Sequence, residues 1–268
     1  MSHETDTSFM DIPEILEIVF PIAYSPLYFP QPSEDPVSSA TTHFVEVEGG
    51  VRIGCAMWVR GTEFPTILYF HGNGETVADH EWLAQFYLEK GVNLFVADYR
   101  GYGLSSGKPT ISNLLKDCHP VYDGFRRVIN SGGFKDSVFI MGRSLGSMPA
   151  VELAYHRQGE VKGLIIESGS ANNLHRLWGF LEDSAKEKLS SGTFLNKDKI
   201  KTVSIPTCVI HGEYDQILPV QEGIEMYESS GARDKDLLII QGADHNDLMI
   251  RGHKQYFDKI GDFISQYS

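Results

Sequence analysis

Ser137-Val138-Phe139-Ile140-Met141 runs directly into Gly142-Arg143-Ser144-Leu145-Gly146, and this stretch decides the reading of the fold. The first five residues form a short apolar run with β-branched and aromatic members, as a buried parallel strand requires. From Leu145 to Arg157 the chain carries Met148, Val151, Glu152, Leu153, Ala154 and Tyr155, a helical mix. A strand that turns at once into a helix around a serine makes a nucleophile elbow, its small neighbours letting strand and helix approach closely. Pro149 does little harm if the helix begins near Leu145, since the first helical amides have no intrahelical partner. The Leu145 amide then remains to face an anion, helped by the helix dipole.

A serine hydroxyl is a poor nucleophile until a base takes its proton. The elbow arrangement calls for Ser, then an acid, then His along the chain, each just past a strand. Thr207-Cys208-Val209-Ile210 reads as a buried strand, followed by His211-Gly212-Glu213-Tyr214-Asp215, a loop that bears an acid. Asp236-Leu237-Leu238-Ile239-Ile240 reads as the next strand, and the loop after it carries Ala243-Asp244-His245. Ser144, Asp215 and His245 are therefore the candidate catalytic residues. Glu167, which ends the strand Val161 to Ile166, is a rival for the acid, but the His211-Gly212-x-x-Asp215 run favours Asp215. A second anion-binding amide is expected in His71-Gly72-Asn73-Gly74, after the strand Thr66-Ile67-Leu68-Tyr69-Phe70. We assign it to the backbone of Asn73, beside that of Leu145, with Gly74 second and His71 as a structural residue orienting the loop.

With Asp98-Tyr99-Arg100-Gly101-Tyr102-Gly103-Leu104-Ser105 added, these motifs resemble the α/β-hydrolase superfamily of serine hydrolases. The likeness is strongest to its bacterial esterase-like members and the related eukaryotic depalmitoylase group, and it runs from about Phe44 to the C-terminus. It implies a serine-dependent hydrolase working through an acyl-enzyme. It does not imply a substrate, because esterases, thioesterases, lipases, amidases and peptidases share the scaffold.

Strands and helices alternate from Thr66 onward, which implies an α/β fold with a doubly wound, mostly parallel sheet. Phe44 to Arg60 reads as a hairpin around Gly49-Gly50 that adds an antiparallel edge. We read residues 1–268 as a single domain with an N-terminal arm over 1–36, a short helix and then a proline-rich extended stretch packed on the sheet. An insertion at about 171–204 holds Leu174, Leu177, Trp178, Phe180 and Leu181, which predict a small helical cap lining an acyl pocket. A packed crossover helix with a surface loop fits the same residues. Ser190-Ser191-Gly192-Thr193 reads as a hinge or turn within it. Trp82, Leu83, Phe86 and Tyr87 share one helical face, and Tyr256, Ile260, Phe263 and Tyr267 another; both stripes are expected in the core.

Composition suits a compact enzyme: 41% hydrophobic and 22% charged residues over 268 positions are ordinary for a globular core. The net charge of −13 argues against nucleic acid as a partner and against an anionic membrane surface. Cys55, Cys118 and Cys208 are far apart, which argues against a disulfide framework and for a reducing cytoplasm. Met1 to Asp6 contains acids and no Lys or Arg, unlike a secretory signal. No apolar run reaches about 18 residues, so no stable membrane insertion is expected. Tyr102 and Pro109 break the phosphate-loop pattern around Gly107-Lys108, and His80-Glu81 is not followed by a second zinc-ligand histidine. The expectation is a serine hydrolase of carboxylic esters or thioesters with small to medium acyl groups, needing no metal or organic cofactor. An aminopeptidase or amidase of the same fold, holding a free amine with Glu182 or Asp183, is the alternative enzyme. A binding module on a hydrolase scaffold is the alternative outside enzymes. No oligomeric state follows from these residues.

Overall fold

A computed structural model describes residues 7–24, 39–172, 179–184, 186–187 and 195–268. The calls on Met1 to Asp6, most of the proline-rich stretch, Leu174, Leu177, Trp178 and the Ser190–Thr193 hinge lie outside them.

Eight strands form one sheet in the order β1-β2-β4-β3-β5-β6-β7-β8. The strands are β1 (Thr41–Val47), β2 (Val51–Trp58), β3 (Thr66–Phe70), β4 (Asn93–Ala97), β5 (Val138–Arg143), β6 (Gly163–Glu167), β7 (Thr207–Gly212) and β8 (Lys235–Ile240). β1 and β2 are the antiparallel edge expected around Gly49-Gly50, β2 meets β4 antiparallel, and every later pairing is parallel.

Both faces of the parallel strands are covered, and alternation along each strand assigns every side chain to a face. Leu68, Phe70, Phe95, Ala97, Val138, Ile140, Leu164 and Ile166 join one core cluster, with residues of α4 (Ile111–Ser131) and α5 (Ser147–Arg157). Ile67, Tyr69, Leu94, Val96, Phe139, Met141 and Ile165 join the other, beneath α3 (Glu81–Glu89) and α9 (His253–Tyr267). Phe139 meets Phe263 edge to face, with ring centroids 6.1 Å apart. Each such fully buried side chain contributes roughly 1.5–3 kcal/mol relative to exposure, so the two layers fix the sheet between them.

One expectation needs correction. Trp82 is 57% exposed, not core. Leu83 and Tyr87 form the inward face of α3, while Trp82 sits in its first turn, rotated onto the flank. The described part of the N-terminal arm holds two short helices, α1 (Pro13–Val19) and α2 (Pro21–Tyr24), and Ile15, Leu16, Val19 and Phe20 join the core cluster that includes Val45, Val47 and Phe70 of the sheet. The Ser112 amide at the start of α4 donates to Asp11, and Asn73 Nδ2 in the loop after β3 donates to the Val19 carbonyl. In the 171–204 insertion, α6 (Asn196–Ile200) buries Asn196, Lys199 and Ile200, with Ile200 in the core cluster that contains residues of α5. Leu181 is buried and Phe180 half exposed. The last third adds α7 (Val220–Ser229) and α8 (Leu248–Arg251). Among the described residues no helix is long and apolar enough to cross a membrane, and the three cysteines are buried and unpaired.

Candidate active site

The elbow forms where β5 ends, in a 3-10 turn over Ser144–Gly146 that leads into α5. Ser144 has φ 52°, a left-handed conformation that costs a residue with a β-carbon about 1–3 kcal/mol. The turn closes because its neighbours lack side chains: a Cβ on Gly146 would lie 2.1 Å from the Phe70 carbonyl oxygen, and one on Gly142 2.2 Å from that of Gly146. Pro149 is the third residue of α5, inside the first turn.

The loops after β7 and β8 converge on this turn. His245 Nε2 lies 2.9 Å from Ser144 Oγ, and Nδ1 lies 2.7 Å from Asp215 Oδ2. A carboxylate only accepts, so the ring donates from Nδ1 and leaves Nε2 to accept the serine hydroxyl proton. The other oxygen of Asp215 accepts the amides of Ile217 at 3.0 Å and Leu218 at 2.7 Å. Burial works against its charge, yet the bonds from His211, His245 and Leu218 outweigh it and hold the carboxyl well below the usual range. His211 Nε2 lies 3.3 Å from Asp215 Oδ2, the oxygen that faces His245, and donates to the Leu218 carbonyl at 2.8 Å. The sequence reading treated His211 only as part of a motif; its place, four residues before the acid at the end of β7, was the available signal.

Leu145 follows the serine in the turn, and Asn73 lies in the loop after β3, the strand that pairs directly with β5. The two assigned amides thus stand at the same ends of neighbouring strands. Asn73 is held from both sides, its Oδ1 accepting the Tyr102 hydroxyl at 2.7 Å while Nδ2 donates to Val19 at 2.6 Å. His71 has the structural role expected: fully buried, it donates Nδ1 to the Gly72 carbonyl at 2.8 Å, and its carbonyl accepts the Tyr99 hydroxyl at 2.6 Å. Burial disfavours its charged form, but Asp98, 3.4 Å from Nε2, outweighs that and raises the pKa. Asp98 also accepts the amides of Val77 and Leu104, so the Asp98–Ser105 motif braces the loop bearing Asn73.

Glu167 does not reach His245. It is buried against Arg143 Nε at 3.2 Å and the Tyr256 hydroxyl at 2.7 Å, and burial raises its pKa despite the guanidinium. Arg143 and its partner Glu75 were missed in the sequence, since the elbow pattern leaves the position before the serine unspecified. Beside His245 opens a cavity of about 320 Å³, with Arg143, Glu167, Trp82, Met249 and Ile250 in its lining.

Away from this edge, His119, Glu152 and His156 bring metal-ligand atoms within 4.8 Å of one another between α4 and α5. The buried Lys199 ammonium contacts the same Glu152 carboxylate, so a cation already neutralises it. That arrangement reads as an ion-paired knot rather than a metal centre.

Residues 63–181 match the family model described as serine aminopeptidase, S33. The chain is 32% identical over 223 residues to human alpha/beta hydrolase domain-containing protein 17B, covering 81% of this chain and 72% of that protein. It is 32% identical over 225 residues to protein 17C of Xenopus tropicalis, covering 81% and 67%. An esterase of Pyrococcus furiosus superposes with a TM-score of 0.67 at 17% identity, over 85% of this chain and 92% of that one. Est1E from Butyrivibrio proteoclasticus gives 0.68 at 16% identity, over 84% and 98%. At those identities the structural likeness is one of fold.

Proposed function

The chain belongs to the α/β-hydrolase superfamily, in the family of the alpha/beta hydrolase domain-containing 17 proteins, and we propose that it cleaves carboxylic esters or thioesters of small to medium acyl groups. The observation that carries this reading is the His245 imidazole seated between Ser144 Oγ and Asp215 Oδ2 at 2.9 and 2.7 Å. The sequence likeness to depalmitoylase-type members supports counting thioesters among the substrates.

In the first half-reaction His245 Nε2 takes the Ser144 proton as Oγ attacks the substrate carbonyl. Asp215 keeps the proton on Nδ1 and stabilises the imidazolium that forms. The amides of Leu145 and Asn73 receive the developing oxyanion, each worth about 3 kcal/mol by analogy with a deleted side-chain donor in a serine protease. The imidazolium then protonates the leaving alcohol or thiol, and the acyl group stays on Ser144. Water repeats the cycle, with His245 as base, to release the acid. Ser144→Ala should abolish hydrolysis of a short p-nitrophenyl ester and labelling by a fluorophosphonate probe while keeping a cooperative melt. Turnover at the wild-type rate would refute the proposal.

The family-model match keeps an aminopeptidase as the second reading. Its candidate amine-binding carboxylates are poorly placed for that work: Glu182 and Asp183 are exposed, and Asp183 pairs with Lys186. Parallel assays on neutral acyl esters and amino-acyl amides separate the two, and we expect the esters to be preferred.

A further inference from the structure

We propose that Arg143 is a positioning residue that holds the nucleophile, the base loop and the oxyanion loop in one frame. The inference rests on the reading of Ser144, His245 and Asp215 given above.

Arg143 is 7% exposed and directly precedes Ser144 at the end of β5. Its guanidinium spends its donors on three other chain segments. Nε donates to Glu167 Oε1 at the end of β6, 3.2 Å away. Nη1 donates to Glu75 Oε1, and the other oxygen of Glu75 accepts the Gly72 amide at 2.9 Å. Nη2 donates to the carbonyl of His245 and to Asn246 Oδ1, both at 2.9 Å. Gly72 must stay bare for this packing, because a Cβ there would lie 2.4 Å from Arg143 Nη1.

The chemistry of the group suits the task. A guanidinium is planar and always charged, so four acceptors bound to it take fixed positions relative to one plane. Lysine offers a point charge without that fork. One acceptor is the backbone of the residue that carries the imidazole. Another reaches, through a single carboxylate, the backbone of the residue before Asn73. The plane itself is anchored one residue from the nucleophile. Proton transfer and oxyanion binding both depend on sub-ångström placement, and an error of about 1 Å can cost 10²-fold in rate. Glu167 thereby acquires a role different from the one its position in the sequence suggested. It is the buried counter-ion of the frame, held on its far side by the Tyr256 hydroxyl.

The test uses the full chain, a short p-nitrophenyl ester and a fluorophosphonate probe. Arg143→Gln should lower kcat about 100-fold and the labelling rate in step, with KM within about threefold of wild type. Arg143→Lys should recover only part of that loss. Glu75→Ala, at a less buried side chain, cuts the link to Gly72 and should slow both rates about tenfold; it serves if Arg143→Gln fails to fold. A folded Arg143→Gln variant with kcat and labelling within twofold of wild type would overturn the inference, and so would a change confined to KM. Should Arg143→Gln not fold, a folded Glu75→Ala with wild-type rates would do the same. Ser144→Ala runs alongside: if it stays active, the underlying reading of the site falls, whereas if it is dead and the frame variants are unaffected, the frame alone falls.

Discussion

Two parts of this molecule bury charge, and they use it differently. At the carboxyl ends of the strands, buried charged side chains bond to one another and also to the backbone of the loops. Asp215 accepts two amides, Glu75 accepts that of Gly72, and Arg143 donates to the His245 carbonyl. In the helix layer, Glu152 contacts Lys199, His119 and His156, which are all side chains. Charge spent on backbone fixes where loops run, and the loops at this edge carry the candidate catalytic groups. Charge spent on other side chains fastens α5 to α4 and α6 and leaves loop geometry untouched. Burial alone therefore does not mark a functional site; the identity of the partners does.

The largest effect that separates the two regions is Asp215→Asn. The amide can still accept from Ile217 and Leu218, so the fold should persist. It no longer offers His245 the carboxylate that fixes the tautomer, and kcat should fall about 10³–10⁴-fold, the scale of the corresponding change in the serine-protease example. A loss under tenfold in a steady-state ester assay would mean that Asp215 does not orient the imidazole at this edge. Next comes Gly146→Ala, which drives a Cβ into the Phe70 carbonyl and must displace either the turn or β3. Overpacking of this kind costs about 3 kcal/mol at its upper range, seen as a fall of roughly 6–12 °C in Tm for a chain of this size. Turnover should be lost with it, because the same displacement moves Ser144. A variant that melts normally and remains active would show that the turn has slack.

The sequence was most legible where one local pattern answers one physical demand. Val138 to Met141 had to be a strand covered on both faces, and Gly142 and Gly146 had to be small, since a Cβ at either meets backbone within 2.2 Å. The order of Ser144, Asp215 and His245, each after a strand, is the one the elbow arrangement calls for. Partnerships across the sheet were not legible. Nothing in the spacing of Glu75, Arg143 and Glu167 announces that they meet, because the contact depends on the strand order β3-β5-β6 and on side-chain reach. Trp82 misled for a related reason: helical periodicity identifies an apolar face, but not where the end of a helix overhangs the layer beneath it. The sequence points to a short helix in the arm, whereas the arm's hold on Asn73 runs through a backbone carbonyl that any residue at position 19 would supply.

The smallest expected effect tests the helix-layer half of the comparison. Replacing Glu152 and Lys199 together, as Glu152→Gln with Lys199→Met, removes both charges and leaves no ion stranded. Such paired removals are often close to neutral, so stability at pH 7 should change by only about 1 kcal/mol. Ester turnover should stay within twofold, since no bond to a site loop is broken. The pH dependence carries the sharper signal. Burial opposes ionisation of Glu152, but His119, Lys199 and His156 outweigh it and lower its pKa from 4.5 to about 2. A depressed carboxyl adds stability that is complete above pH 4.5 and fades as pH falls toward 2. The wild type should therefore lose stability relative to the double variant across that window, in chemical melts run side by side at matched ionic strength. Other carboxyls titrate in both proteins and cancel in the difference. Parallel curves would place the Glu152 charge outside the stability of the helix layer. A tenfold loss of turnover in the folded variant would instead join the two regions into one functional unit and remove the distinction drawn between them.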